Sequence, residues 1–168
     1  MLEKTENKSL VGSELLSVIA EVFPLQLLSQ EIINNTSASW EGYDYSKEFE
    51  AGVFGKSWDM LDKVFIETHA SAIIYLEHQA FFAIFPAYLS YLVRNDAYNE
   101  VPFMVASKLT KTNDELELRV FDAMVNSLSN AQKIVIRHVL IFLSKNHVEE
   151  VMQLALTSYW KDMAEGSI

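Results

Sequence analysis

The sequence predicts an all-α fold in one domain, on three observations. Apolar residues recur at spacings of three and four along most of the chain, while strict alternation is scarce. Half of the residues are hydrophobic and about a fifth are charged, a composition that folds. At 168 residues, one domain is the default. A chain of that size buries about 70% of its unfolded surface and needs no disulfide or metal to do so. Six or seven helices are expected across residues 1–168, with residues 1–9 a frayed or disordered N-terminus and a long irregular loop near residues 35–57.

Each element follows from local pattern. Val11, Leu15, Val18, Ile19 and Val22 make one apolar stripe, with Ser13, Glu14, Ser17 and Glu21 opposite. Pro24 has no amide to continue that helix, so it ends or kinks there, and a second helix is expected over Leu25 to Asn34. From 34 to 57 the composition shifts to three glycines and a run of Asn, Ser and Thr, which reads as an irregular connection with a short helix around Lys47 to Val53. Ser57 is the expected N-cap of the next helix, with Asp59 in its first turn and Trp58, Leu61, Val64 and Phe65 on its apolar face.

A break at Ile73 to Leu76 precedes an aromatic helix from Glu77 to Arg94, ended by Asn95 and Asp96. Pro86 falls inside it. Because Tyr88, Leu89 and Leu92 keep the apolar spacing beyond the proline, a bend is expected rather than a stop, with Phe85 and Tyr88 turned to the centre. Pro102 suits the first turn of a helix running to Lys108. Thr112 to Glu115 reads as a capping box, opening a helix whose polar stripe is Glu115, Arg119, Asp122 and Asn126. Ser129 to Gln132 is a second box, opening a helix to Lys145 with Lys133, Arg137 and Ser144 on its polar side. The last helix sets Val148, Val151, Met152, Ala155, Tyr159 and Trp160 against Glu150, Gln153, Thr157 and Lys161.

Several chemistries are excluded or weakened. There is no cysteine, which removes disulfides, zinc thiolates, iron–sulfur clusters and cysteine nucleophiles together. Thirteen basic against twenty-three acidic residues give a net charge of −10, the wrong sign for gripping phosphates, so no nucleic acid is expected. The window Ile73 to Val93 is long enough to span a bilayer, but Glu77, His78 and Gln79 interrupt it, so it reads as a buried central helix and no membrane is expected. The first dozen residues lack a basic segment followed by an apolar run, so no secretory signal is expected and the cytoplasm is the expected compartment.

Gly55-Lys56-Ser57 resembles the end of a phosphate-binding loop, but the glycine required five residues before Gly55 is Glu50. His69, His78, His138 and His147 show neither the zincin nor the di-iron spacing, so capping or surface roles are expected and no metal or cofactor. No nucleophile elbow occurs, and the acid pairs Asp114-Glu115 and Glu149-Glu150 are adjacent on helices, pointing apart. Tyr75, Phe81, Phe82, Phe85, Tyr88 and Tyr91 offer the lining of an apolar ligand pocket, but their helical spacing is that of core aromatics, and core is the expectation.

One stretch is richer. Trp40, Tyr43, Asp44 and Tyr45, with Glu48 and Glu50 shortly after, bring rings and carboxylates together outside any strong helical pattern. Such mixtures serve protein interfaces, and these six are the candidate partner-binding residues. Equally, the rings tuck under the domain as a satellite cluster while the acids stay solvated.

The order of short motifs resembles an uncharacterised family of small bacterial all-α proteins. The matching residues are Val22-Phe23-Pro24, Phe54-Gly55-Lys56-Ser57-Trp58, Leu76 with Ala80-Phe81, and Phe85-Pro86-Ala87-Tyr88-Leu89. Leu109-Thr110, Leu128-Ser129 with Gln132, Ala155-Leu156 and Tyr159-Trp160 are similar too. Glu77-His78-Gln79 departs from the family's Thr-Pro-Glu, which implies a differently started helix. The resemblance implies a bacterial, intracellular helical domain and no catalytic residue.

Three functions follow as expectations. First is a non-catalytic binding module, an immunity protein that neutralises a co-encoded toxin with a basic surface, as a monomer or weak homodimer. Second is an enzyme using the scattered histidines and acids around Pro86. Third is a small-ligand or regulatory domain with its pocket among the aromatic helices.

Overall fold

The computed structural model describes residues 11–33, 46–95, 98–145 and 149–163. The described residues hold ten α-helices and no β-strand, so the chain is all-α. The helices are α1 (Gly12–Val22), α2 (Gln30–Ile33), α3 (Ser46–Val53), α4 (Lys63–Thr68), α5 (Ala72–Tyr75), α6 (His78–Arg94), α7 (Val101–Leu109), α8 (Glu115–Ser127), α9 (Asn130–Leu143) and α10 (Glu149–Ser158). Two single 3₁₀ turns, Trp58–Met60 and Trp160–Asp162, complete them. The count exceeds the expected six or seven because α2 and α5 are single turns of four residues, and α4 has only six.

The axis of the domain is α6. From Ala83 to Leu92 every residue is buried, so this helix is apolar all round and needs cover on every side. α1 and α9 lie against it and against each other, α4 and α7 flank it, and α10 closes α7 and α9 from outside. The helix runs on through Pro86, as expected, and both Phe85 and Tyr88 are fully buried. No helix among the described residues is long and apolar enough to cross a membrane.

Several expectations are corrected. Residues 24–29 are irregular rather than helical, because their backbone is used elsewhere: the Leu28 amide donates to the Lys56 carbonyl (2.9 Å), and the Gly55 amide donates back to the Leu28 carbonyl (2.9 Å). Gly55 turns there at φ 72°, the left-handed region that glycine enters freely. Ser57 opens only the 3₁₀ turn, its hydroxyl bonded to Asp59, while α4 is capped by Asp62, whose Oδ1 accepts the Phe65 amide at 2.8 Å. Val64 consequently faces water, 70% exposed. α8 is capped by Asp114, not Thr112; one Asp114 oxygen accepts the amides of Leu116 and Glu117, both at 3.0 Å. The second box is as expected: Ser129 and Gln132 exchange bonds of 3.0 and 3.2 Å. Ser144, expected on a polar face, is buried and donates to the Ile141 carbonyl.

The short motifs prove to be pins between distant elements. Trp58 Nε1 donates to the Phe23 carbonyl (3.2 Å), and Gln132 Nε2 to the Val22 carbonyl (3.2 Å), so the frayed end of α1 is tied twice. Trp160 Nε1 donates to the Leu109 carbonyl (2.8 Å), fixing α10 to the end of α7. The Tyr88 hydroxyl donates to the His69 carbonyl (2.7 Å). Each pin satisfies a carbonyl at a helix end or loop that the helical ladder leaves open.

Candidate functional site

The expected partner-binding residues divide. Trp40, Tyr43, Asp44 and Tyr45 lie outside the described residues, as do residues 1–9 and His147. Glu48 and Glu50 stand on α3 on either side of Phe49, which is fully buried. Glu48 is exposed and Glu50 half-buried. Beyond α3, the reciprocal pairing of Leu28 with Gly55 and Lys56 leaves Leu27 and Phe54 next to it in sequence and facing water. Leu25 is exposed as well. A partly apolar surface, preceded in sequence by the acids of α3, therefore lies along this pairing.

Inside that surface, His69 is the buried surprise. Its ring packs on Phe65 (4.6 Å between centroids) and edge-on to Phe49 (5.5 Å), at the C-terminal end of α4. Burial holds its pKa below the ordinary value, partly offset by the charge of Glu48. Of the capping or surface roles expected for this histidine, it takes a capping position, as the C-cap residue of α4, with its ring buried. Nearby, Tyr91, Glu67 and Asn99 form a closed polar triangle: Tyr91 donates to Glu67 (2.6 Å), and Asn99 Nδ2 reaches both (3.1 and 2.7 Å). It joins α4, α6 and the start of α7, with burial and the Glu67 bond pushing the Tyr91 hydroxyl pKa up. A shallow hollow of about 350 Å³ lies over Tyr91, rimmed by Asp59, Asp62, Lys63 and Arg94.

A second place, expected from the sequence only as a pocket among the aromatic helices, is a cleft of about 190 Å³ where the start of α6 meets α7 and α8. Phe81, Phe82, Val120 and Met124 form its apolar wall, and Lys108, Arg119, Glu77 and His78 supply its charge. Lys108 rises from the last turn of α7. Its ammonium donates to the carbonyls of Ile74 (3.1 Å) and Leu76 (2.8 Å), which α5 leaves open, and lies 5.4 Å from the Phe81 ring centre. Burial brings its pKa down to about 8, against the raising charge of Glu77. Arg119, at the rim, pairs with Glu115 one turn back on α8. His78 opens α6 at φ 48°, with no side-chain cap at Glu77. His78 Nε2 stands 3.8 Å from Glu77 Oε2.

Among the described residues, no group of three His, Asp or Glu is arranged to hold a metal. Residues 11–164 match a family of unknown function, DUF6714, and the chain belongs to that family. No curated protein and no solved structure matches the chain.

Proposed function

We propose, for a family without an assigned activity, that this chain is a non-catalytic protein-binding module. In this reading it is a bacterial, cytoplasmic immunity protein that binds and neutralises a co-encoded toxin or secreted effector. The observation that carries the reading is the surface around α3. Leu25, Leu27 and Phe54 are 59%, 65% and 58% exposed there, and Glu48 and Glu50 precede Phe54 in sequence. Three large apolar side chains in water have no folding reason to be so placed, whereas an interface gives them one. Trp40, Tyr43, Asp44 and Tyr45 fall between α2 and α3 in sequence. Rings and leucines would fill pockets of the partner, while carboxylates at the rim meet its Arg and Lys. The −10 net charge would steer encounter with a basic surface.

The test is co-purification with the product of the neighbouring reading frame, followed by kinetics on variants whose helical spectra are unchanged. Phe54→Ala is expected to cost about 2 kcal/mol of binding, chiefly through faster dissociation. Glu48→Gln is expected to slow association instead. A complex that tolerates Phe54→Ala and the triple change Trp40→Ala, Tyr43→Ala and Asp44→Ala would move the interface elsewhere. A second reading, a small-ligand or regulatory domain, is favoured by one observation of its own, the cleft at Lys108.

A further inference from the structure

We infer that the cleft between the start of α6, α7 and α8 is a binding site for a small carboxylic acid with an apolar tail of one ring or a short chain. The site is separate from the proposed toxin interface, since neither Glu48 nor Glu50 lines it, and it gives the small-ligand reading a ligand class. Size sets the tail. About 190 Å³ exceeds the ~150 Å³ of an engineered cavity that takes benzene, and falls short of the ~300 Å³ where drug-sized pockets begin.

The wall sets the character of that tail. Phe81, Phe82, Val120 and Met124 offer no hydrogen bond, so whatever lies against them is hydrocarbon. Charge sets the head. Lys108 and Arg119 face one lining acid, Glu77, in a chain where acids outnumber bases twenty-three to thirteen. Local and global charge thus have opposite signs, which is complementarity to an anion rather than a by-product of composition.

Lys108 is also placed for one more bond. Two of the three ammonium hydrogens are held by the Ile74 and Leu76 carbonyls, leaving one donor on a group that lines the cleft. The burial that depresses its pKa is a penalty on the charged form, and a bound carboxylate relieves that penalty. Glu77 and His78, at the start of α6 where no side chain caps the helix, line the same cleft.

The test uses the full chain at pH 7 and three probes of one length: octanoate, octanol and octylamine. Octanoate is expected to saturate, with amide shifts centred on Phe82, Val120 and Ser127. Octanol is expected to bind about tenfold more weakly, the loss of one charge-assisted bond, and octylamine more weakly still. Lys108→Met is expected to lower octanoate affinity about tenfold while leaving octanol unchanged. Should that variant fail to fold because two carbonyls lose their donor, the three-probe comparison on the wild type decides alone. Arg119→Gln, an exposed change, is expected to weaken octanoate two- to threefold, or roughly 0.5 kcal/mol. Equal binding of octanoate and octanol overturns the proposal, as does shift perturbation away from the cleft or none at millimolar octanoate.

Discussion

Lys108 is an ammonium kept in a place that disfavours its charge, and the consequence is a pH dependence with a definite sign. Its pKa falls from 10.5 to about 8 on folding. Below about pH 8 the native and unfolded chains both hold the proton, so the burial penalty is present in full. Between that value and 10.5 the unfolded chain binds more protons than the native one, and stability therefore rises with pH. Thermal unfolding of the wild type, compared with Lys108→Met, is expected to gain steadily from about pH 8 to pH 10. A flat difference across that window would mean that the amine is solvated. The residue was not legible in the sequence as part of a site. A lysine in the last turn of a helix is what the dipole already favours, and the carbonyls that hold it come from α5, more than thirty residues earlier. Glu77 and His78 were visible only as a helix start, because the spacing of α8 against α6 is a tertiary fact. The burial of His69 was hidden for the same reason: it is made by Phe49 and Phe65, on two separate helices.

At the scale of elements, the N-terminus of α8 is capped by a different residue from the one expected. Thr112, Asn113 and Asp114 are consecutive cap formers, and pattern alone does not choose among them. The structure chooses Asp114, whose carboxylate holds two first-turn amides, and leaves the Thr112 hydroxyl buried without a partner. Asp114→Ala is therefore expected to cost about 1 kcal/mol of stability. Thr112→Val, which removes an unsatisfied hydroxyl at constant volume, is expected to be neutral or slightly stabilising. Chemical unfolding of both variants checks the pair, and the opposite ranking would restore the box at Thr112. The long helices were legible because ten or more residues display the helical period; α1, α6, α8, α9 and α10 fall within a residue or two of expectation. Of the shorter ones, α3 and α7 also fall within a residue of expectation, whereas α2, α4 and α5 do not. Residues 24–29 carry an acceptable helical pattern, yet their backbone bonds to Gly55 and Lys56 win, a choice made by chain reversal rather than by local preference. Asp62 took the cap assigned to Ser57 because a 3₁₀ turn intervenes.

At the scale of the whole molecule, one electrostatic field governs two observables with opposite signs. Acids are spread over the outer faces: Glu14 and Glu21 on α1, Glu48 on α3, Glu115, Glu117 and Asp122 on α8, and Glu150 on α10. Exposed pairs such as Lys63–Glu67, 3.7 Å apart, contribute little against this excess. Folding brings the acids closer together than they are in the unfolded chain, so self-repulsion opposes the compact state. Screening shortens from about 30 Å at 0.01 M salt to about 8 Å at 0.15 M, which removes most of that repulsion. Adding salt over this range is expected to raise the unfolding temperature. For the proposed complex the same field is attractive, since it draws in a basic partner before contact. The same salt step is expected to slow association about tenfold while dissociation, set by the buried leucines and Phe54, scarcely changes. Differential scanning calorimetry and stopped-flow association on one salt series therefore form a linked pair. A rise in stability with no fall in association rate would assign the acidity to solubility alone. The binding surface would then reduce to its apolar part, Leu25, Leu27 and Phe54, and the partner need carry no basic patch.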